Sequence, residues 1–171
     1  KRELSDIDAF IFCEGPGSML GIRTAAMALR TWSSTLKPVP SYAYRSLEVL
    51  ARQLSLREAA PFSLVADARR EMWHCVDVAG PTTISSLLRI SSGEVKERTG
   101  KLFTPDTFRA WAALPPRAEK ISYNISALMA PLSSAPLFRE KPEPDAMLHE
   151  EPSYKTWVPQ VHRASVQESI S

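Results

Sequence analysis

Apolar positions along the chain fall into runs whose spacing alternates between strand and helix periods. Ile7-Asp8-Ala9-Phe10-Ile11-Phe12-Cys13 is short, aromatic-rich and followed by Gly15-Pro16-Gly17, which predicts a buried strand. Ser18 can cap the helix that follows. Within it Ile22, Ala25, Ala26, Leu29, Trp32 and Leu36 recur at helical spacing as one apolar stripe, and Lys37-Pro38 ends it. Ala25, Ala26 and Ala28 are small and would let another backbone approach closely. Val39 to Ala43 predicts a short strand at a sheet margin, because it contains Pro40. Ser46 is the expected cap of a second helix, with Leu47, Leu50, Ala51 and Leu54 on one face and Pro61 closing it. Phe62 to Ala66 predicts another buried strand, Asp67-Ala68-Arg69-Arg70 a tight turn, and Glu71 to Val78 an alternating return strand. Strand, helix, strand, helix and hairpin in that order make an α/β fold with mixed strand directions.

Beyond Gly80 the pattern weakens. Leu87 to Ile90 and Ile121 to Ile125 predict strands, and Thr104-Pro105-Asp106 predicts the start of a short helix carrying Phe108 and Trp111, with proline at its first position. Nine of the 14 prolines fall between residues 105 and 159, so this part is expected to be rich in loops. Residues 139–153 read as a charged surface crossing and 165–171 as a frayed tail. The division expected is a first subdomain over residues 1–60, a looser second one over 61–164, and the tail.

Composition narrows the class. With 44% hydrophobic and 23% charged residues the chain has the make-up of a soluble globular protein. The net charge of +2 gives no nucleic-acid footprint over the whole chain. Residues 1–70 hold 10 basic and 7 acidic groups and the rest 11 and 12, so any basic surface is local. Cys13 and Cys75 sit in apolar stretches and read as buried small hydrophobes, too few for a secreted disulfide framework. No apolar run approaches the ~20 residues that span a membrane. Lys1 to Asp8 is polar, unlike a signal peptide. A cytoplasmic location is expected. Residue 1 is lysine, and the start reads as the end of an element leading into a strand, which suggests residues further upstream.

Candidate chemistry centres on the turn Gly15-Pro16-Gly17-Ser18. The first N–H groups of a helix lack internal partners and converge on one spot, so a glycine-rich strand-to-helix turn is suited to anions. Arg23, about a turn inside the helix, could add a charge near a phosphate. The turn lacks the lysine of a P-loop, and Leu20 stands where the dinucleotide pattern needs glycine. A plain packing turn is the competing reading. Asp67 ends an apolar strand, a frequent position for function in α/β folds, and is equally suited to accept nearby backbone N–H groups. His74, His149 and His162 do not form a helical zinc pair, and Ser18 lacks the Gly-x-Ser-x-Gly elbow of a hydrolase. No metal site and no catalytic residue is assigned. The four tryptophans read as core, with a partner interface as the rival reading for Trp32.

Asp6-Ile7-Asp8-Ala9-Phe10, Gly15-Pro16-Gly17-Ser18-Met19-Leu20-Gly21-Ile22-Arg23, Ser46-Leu47-Glu48-Val49-Leu50-Ala51 and Asp67-Ala68-Arg69-Arg70 resemble, in order and spacing, the TsaB (YeaZ) family. The resemblance is specific from residue 6 to about 78 and fades to a hint at Pro152-Ser153-Tyr154. It implies an actin-like ATPase (ASKHA, RNase H-like) fold of mixed sheets flanked by helices, here without the family's first strands. It also implies a non-catalytic subunit in the making of threonylcarbamoyladenosine (t6A) in tRNA. Such a subunit pairs with a metal-bearing TsaD-type transferase, with TsaE as a further partner, a second copy as an alternative one, and tRNA met indirectly.

The implied sites are Gly15, Gly17, Ser18, Arg23 and Asp67 for a nucleotide or anion, and Ile22, Ala25, Ala26, Leu29 and Trp32 for a partner. No cofactor of its own is implied; ATP or ADP would sit at a partner interface. Met19-Leu20 replaces the family's Phe-Thr and removes a hydroxyl, which turns the expectation from gripping phosphate toward setting the angle of an interface helix. Glu71 stands roughly where the family often has glycine. The alternatives are a nucleotide-using enzyme of the same fold and a diverged relative without activity.

Overall fold

The computed structural model describes residues 3–35, 39–129 and 136–148. The helix end expected at Leu36 to Pro38, the last part of the 139–153 crossing, the Pro152-Ser153-Tyr154 hint and the 165–171 tail lie outside these residues.

Two mixed sheets organise the chain. In the first, β1 (Phe10–Gly15) runs parallel to β2 (Ser41–Arg45), and β8 (Arg139–Glu140) pairs antiparallel with β2. The second has the order β5-β4-β3-β6-β7, built from β3 (Phe62–Asp67), β4 (Met72–Val78), β5 (Leu88–Ser91), β6 (Lys101–Pro105) and β7 (Ala118–Ile121). The β3–β4–β5 run is antiparallel, whereas β6 and β7 are parallel to β3. Helix α1 (Met19–Thr35) links β1 to β2, the crossover a parallel pair requires. Short helices α3 (Ser92–Glu97) and α4 (Ile125–Met129) follow β5 and β7.

Helix α2 (Ser46–Leu54) is the hub. It touches β1, β2, β3, β4 and α4, and Leu47, Val49, Leu50 and Ala51 are fully buried. A helix covered nearly all round is what its run of apolar residues allows. Strand β3 is buried on both faces. Phe62, Leu64 and Ala66 pack toward α2, while Val65 meets Trp73, Ile90, Val95 and Leu102 on the other side. A third cluster joins Phe10, Phe12 and Ala43 of the first sheet to Leu29 of α1.

Several expectations change. Strand β1 begins three residues later than Ile7, and Pro40 precedes β2 rather than interrupting it. β2 is therefore the middle strand of its sheet, between β1 and β8, not a marginal one. Ser46 does not cap α2: Arg45 occupies the cap without a side-chain bond, and the buried Ser46 hydroxyl donates to the Pro16 carbonyl at 2.7 Å. The tertiary bond outcompetes the local one. Helix α2 also ends at Leu54, well before Pro61. Thr104-Pro105 starts no helix; both residues belong to β6, which is paired on both sides, and this pairing overrides the local signal of proline before an acidic residue. The last predicted strand lies earlier, as β7.

One tight approach ties β6 to the α2–β3 connection. Gly100 has φ +84°, and a Cβ there would stand 2.3 Å from the Pro61 carbonyl oxygen. Neither backbone can yield cheaply. Gly100→Ala is expected to cost about 2–4 kcal/mol. That corresponds to a melting temperature lower by roughly 5–15 °C, measured by thermal unfolding.

Candidate functional site

The turn after β1 opens on a cleft of about 220 Å³ between the two sheets. Gly15 and Gly17 form one wall, Ala68, His74 and Arg89 of the second sheet and its turn the other, and Met147 closes one side. Gly15 has φ +134°, a region that residues with a Cβ scarcely enter. Gly17 is not required by space, since a Cβ there would meet only Ile22 Cδ1 at 3.5 Å. Ser18 caps α1, its hydroxyl accepting from the Gly21 N–H at 3.3 Å. The amides of Met19 and Leu20 find no acceptor among the described residues, as expected of a helix start.

A buried charge network forms the floor. Glu14, at the end of β1, lines the cleft, and its carboxylate is only 7% exposed. Arg45 Nε donates to Glu14 Oε1 at 2.9 Å, with Arg139 at 3.7 Å and Lys141 Nζ 3.9 Å from the carboxylate. Arg45 also reaches Glu48 Oε1 at 3.3 Å, an oxygen that accepts the Leu87 N–H at 3.0 Å, and Arg139 bonds the other Glu48 oxygen. Two buried carboxylates are thus met by three cations drawn from β2, β8 and the residue after β8. The Glu14 carbonyl takes the Met147 N–H at 2.8 Å and so seats the segment that closes the cleft.

Asp67 turns away from this floor. Its Oδ1 accepts the Arg69 N–H at 2.6 Å, and its Oδ2 accepts the N–H groups of Ala112, at 2.7 Å, and of Trp111. Burial pushes the carboxyl up, but these three N–H groups and the Arg69 charge outweigh it and hold the pKa below the usual aspartate value. The turn it organises is unusual. Arg69, Arg70 and Glu71 all have positive φ, at 63°, 53° and 59°, without a glycine among them.

Of the residues singled out from sequence, Gly15 and Gly17 line the cleft, Ser18 is engaged in capping, and Arg23 is exposed on α1 away from the lining. Asp67 anchors two loops. Ile22, Ala26 and Leu29 are buried within the chain itself, with Ile22 at the edge of the cleft. Ala25 is exposed, and the half-exposed Trp32 lies 6.1 Å from the Phe10 ring. Leu20 and Met27 are the most exposed large apolar groups of α1, at 79% and 62%, followed by Met19 and Trp32. Sequence reasoning passed over Glu14, Arg89, Arg139 and Met147, whose only signal was an acidic residue placed inside an apolar run. Burial raises the thiol pKa of Cys13, and it pushes Cys75 up to about 12 with help from the Asp77 charge, so neither is a ready nucleophile. Among the described residues no three His, Cys, Asp or Glu side chains gather as a metal would require.

Two mixed sheets flanked by helices, with a glycine turn leading from a parallel strand into a helix beside the cleft between them, have the actin-like ATPase (RNase H-like) fold of the matching family and structures. The family model for TsaD, tRNA N6-adenosine threonylcarbamoyltransferase, matches residues 1–110, and the chain belongs to that family. Two solved structures share the fold, both from Pseudomonas aeruginosa. One is described as an uncharacterized protein with similarity to peptidase YEAZ, with a TM-score of 0.54 at 17% identity over 85% of this chain and 75% of that one. The other is YeaZ, with a TM-score of 0.53 at 17% identity over 85% of this chain and 77% of that one. The resemblance to TsaB (YeaZ) thus holds at the level of fold. No curated protein sequence matches the chain.

The Asp67 geometry fixes a pH dependence. A carboxyl held low in the folded state contributes stability that is present above its unfolded pKa, about 3.9, and is lost as pH falls through the folded value. Asp67→Asn is expected to cost about 1 kcal/mol at neutral pH, a low figure because the group is largely solvent-screened. The gap from the parent chain should close below about pH 4 in urea unfolding across that range.

Proposed function

We propose that the chain is a non-catalytic, TsaB-like subunit that pairs with and supports a TsaD-type transferase in forming t6A in tRNA. The observation that carries this reading is the family match through residues 1–110, in a fold shared with YeaZ. The local chemistry agrees with it. Apart from the helix-start amides, the polar groups at the turn are engaged internally: the Ser18 hydroxyl in a cap, the Pro16 carbonyl with Ser46, and Glu14 in ion pairs. The turn therefore acts as a bracket that sets α1 against the first sheet. The outer surface of α1, with Leu20 and Met27 about two turns apart, is the surface offered to the transferase. TsaE is a further partner on this reading, and a second copy of the chain is the alternative occupant of the same helix. Among the described residues no helix is long and apolar enough to cross a membrane.

The test is co-expression with a TsaD-type protein, with t6A measured by mass spectrometry of tRNA nucleosides in cells depleted of their own TsaB-type protein. Co-purification and restored t6A are expected. Leu20→Glu with Met27→Glu should reduce recovered partner by about tenfold or more while leaving the melting temperature in place. Failure to co-purify would overturn the reading. So would ATP turnover by the chain alone that disappears on Gly17 or Asp67 replacement, which would favour a nucleotide-using enzyme.

A further inference from the structure

The Asp67 carboxylate does more than shape a hairpin. Through the N–H groups of Trp111 and Ala112 it fixes the β6–β7 loop against the β3–β4 turn, two segments 44 residues apart in sequence. The juxtaposition sets the Arg69 guanidinium carbon 5.1 Å from the Trp111 ring centroid and that of Arg109 3.9 Å from it. Arg70, also exposed, stands beside Arg69 in the left-handed run. Even with two guanidiniums against it, Trp111 keeps 59% of its surface exposed.

Several exposed arginines, Arg23 and Arg57 among them, are in no salt bridge among the described residues; what sets Arg69 and Arg109 apart is that both stand against one exposed indole, with Arg70 next in sequence to Arg69. Arg30, Arg45, Arg98 and Arg139 are all in salt bridges. Among the described residues Arg69, Arg70 and Arg109 are in none. The nearest acidic groups in sequence are, for Arg69 and Arg70, Asp67, whose oxygens accept backbone N–H groups, and the exposed Glu71, and for Arg109 the exposed Asp106, whose Oδ1 accepts the Tyr123 N–H. A chain with a net charge of only +2 sets two guanidiniums against one exposed indole, with a third exposed arginine beside them in sequence. Three consecutive left-handed residues without glycine are a costly way to build a turn, and such strain is a feature that often accompanies function.

We propose that Arg69, Arg70, Arg109 and Trp111 form a direct contact for a single-stranded stretch of RNA, the indole stacking on an unpaired base and the guanidiniums meeting the phosphates on either side. An acidic peptide would use the charges but leave the indole idle, whereas a nucleic-acid strand uses both groups. The choice of RNA over DNA rests on the proposed role in tRNA modification; the patch itself does not. Ala68 lines the cleft and Arg69 is the next residue, so the patch begins at the rim of the site. This makes the chain a direct RNA contact rather than one that meets tRNA only through a partner.

Fluorescence anisotropy with the purified chain and a labelled, unstructured 12-nucleotide RNA tests this. Saturable binding is expected, with a log–log salt slope of about −2 for three phosphate contacts. Trp111→Ala should weaken binding about fivefold or more, and Trp111→Phe should restore most of it. Arg109→Gln and Arg70→Gly should each weaken it by less and make the slope shallower by about 0.7. Arg70→Gly should not lower the melting temperature, since glycine relieves the left-handed backbone, so its loss of binding is not a loss of fold. Arg57→Gln, at an exposed arginine in the α2–β3 loop, should change nothing. Absence of binding by the parent chain, or binding indifferent to Trp111→Ala, would overturn the proposal. Equal or tighter binding of polyglutamate would do so too, by showing an acidic-peptide site. These readings are independent of the nucleoside assay: a chain that binds RNA through Trp111 yet fails to restore t6A sinks only the modification role.

Discussion

The interaction on which the rest of the structure depends is the buried pairing of Glu14 and Glu48 with Arg45 and Arg139. Each carboxylate is less than a tenth exposed, so neither could be left ionised inside the protein without a partner. The four groups come from the end of β1, the start of α2, the end of β2 and the start of β8. Holding them together fixes where the glycine turn stands relative to the hub helix. It also draws the chain after residue 136 back onto the first sheet, where Lys141 adds a weaker contact at 3.9 Å and Arg30 of α1 bonds the Pro144 carbonyl at 2.7 Å. Removing one partner from such a cluster typically costs about 3–5 kcal/mol, because the charge left behind is uncompensated. Hydrophobic burial around α2 supplies most of the driving force, but it is non-directional. The ion pairs select one seating of the helix among several that would bury as much.

The elements defined by local signals were legible from sequence. Helix α1 follows from its stripe and from Ser18, and the β3–β4 hairpin from alternation and the Asp67 turn. What failed were features decided by distant partners. Pro105 before Asp106 is a sound local helix signal, yet Thr104 and Pro105 lie in a strand with neighbours on both sides, and the ladder wins. Ser46 is a sound local cap, yet its hydroxyl is taken by the carbonyl of Pro16, 30 residues away. The network around Glu14 and Glu48 was invisible for the same reason: its link from Arg139 to Glu48 joins residues 91 apart in sequence, and Arg139 and Lys141 reach back still further to Glu14. The stripe of α1 was legible as apolar but not as inward-facing. Periodicity locates a face without saying whether the chain's own sheet or another protein covers it, and here Phe10, Phe12 and Ala43 cover Leu29.

The glycine turn shows how one motif can serve packing and function in different proportions. A strand-to-helix turn places free amides at the helix start whatever its sequence, so the geometry for an anion is present here. A phosphate, however, would approach a floor that already holds a carboxylate, and the polar side chain of the turn is spent on its own helix. Met19-Leu20 in place of the family's Phe-Thr has the same direction: a hydroxyl gives way to an apolar side chain at the start of α1, with Leu20 largely exposed. These observations weigh toward a turn that orients a helix for contact with another protein.

The Asp67 side of the cleft has the opposite character. Its carboxylate satisfies three backbone donors and draws on the Arg69 charge without forming a salt bridge, so the guanidiniums that follow stay exposed. A turn stabilised by ion pairs would have paired Arg69 or Arg70 with an acid; this one directs the acid inward to the backbone and the cations outward to solvent. Because the same carboxylate holds the loop bearing Arg109 and Trp111, a change at Asp67 would loosen both halves of the basic patch at once. Overall charge balance therefore says little about this chain's surface. Glu14, Glu48 and Asp67 are committed to internal contacts, while the arginines at the rim are in no salt bridge among the described residues, and that local asymmetry favours polyanions there.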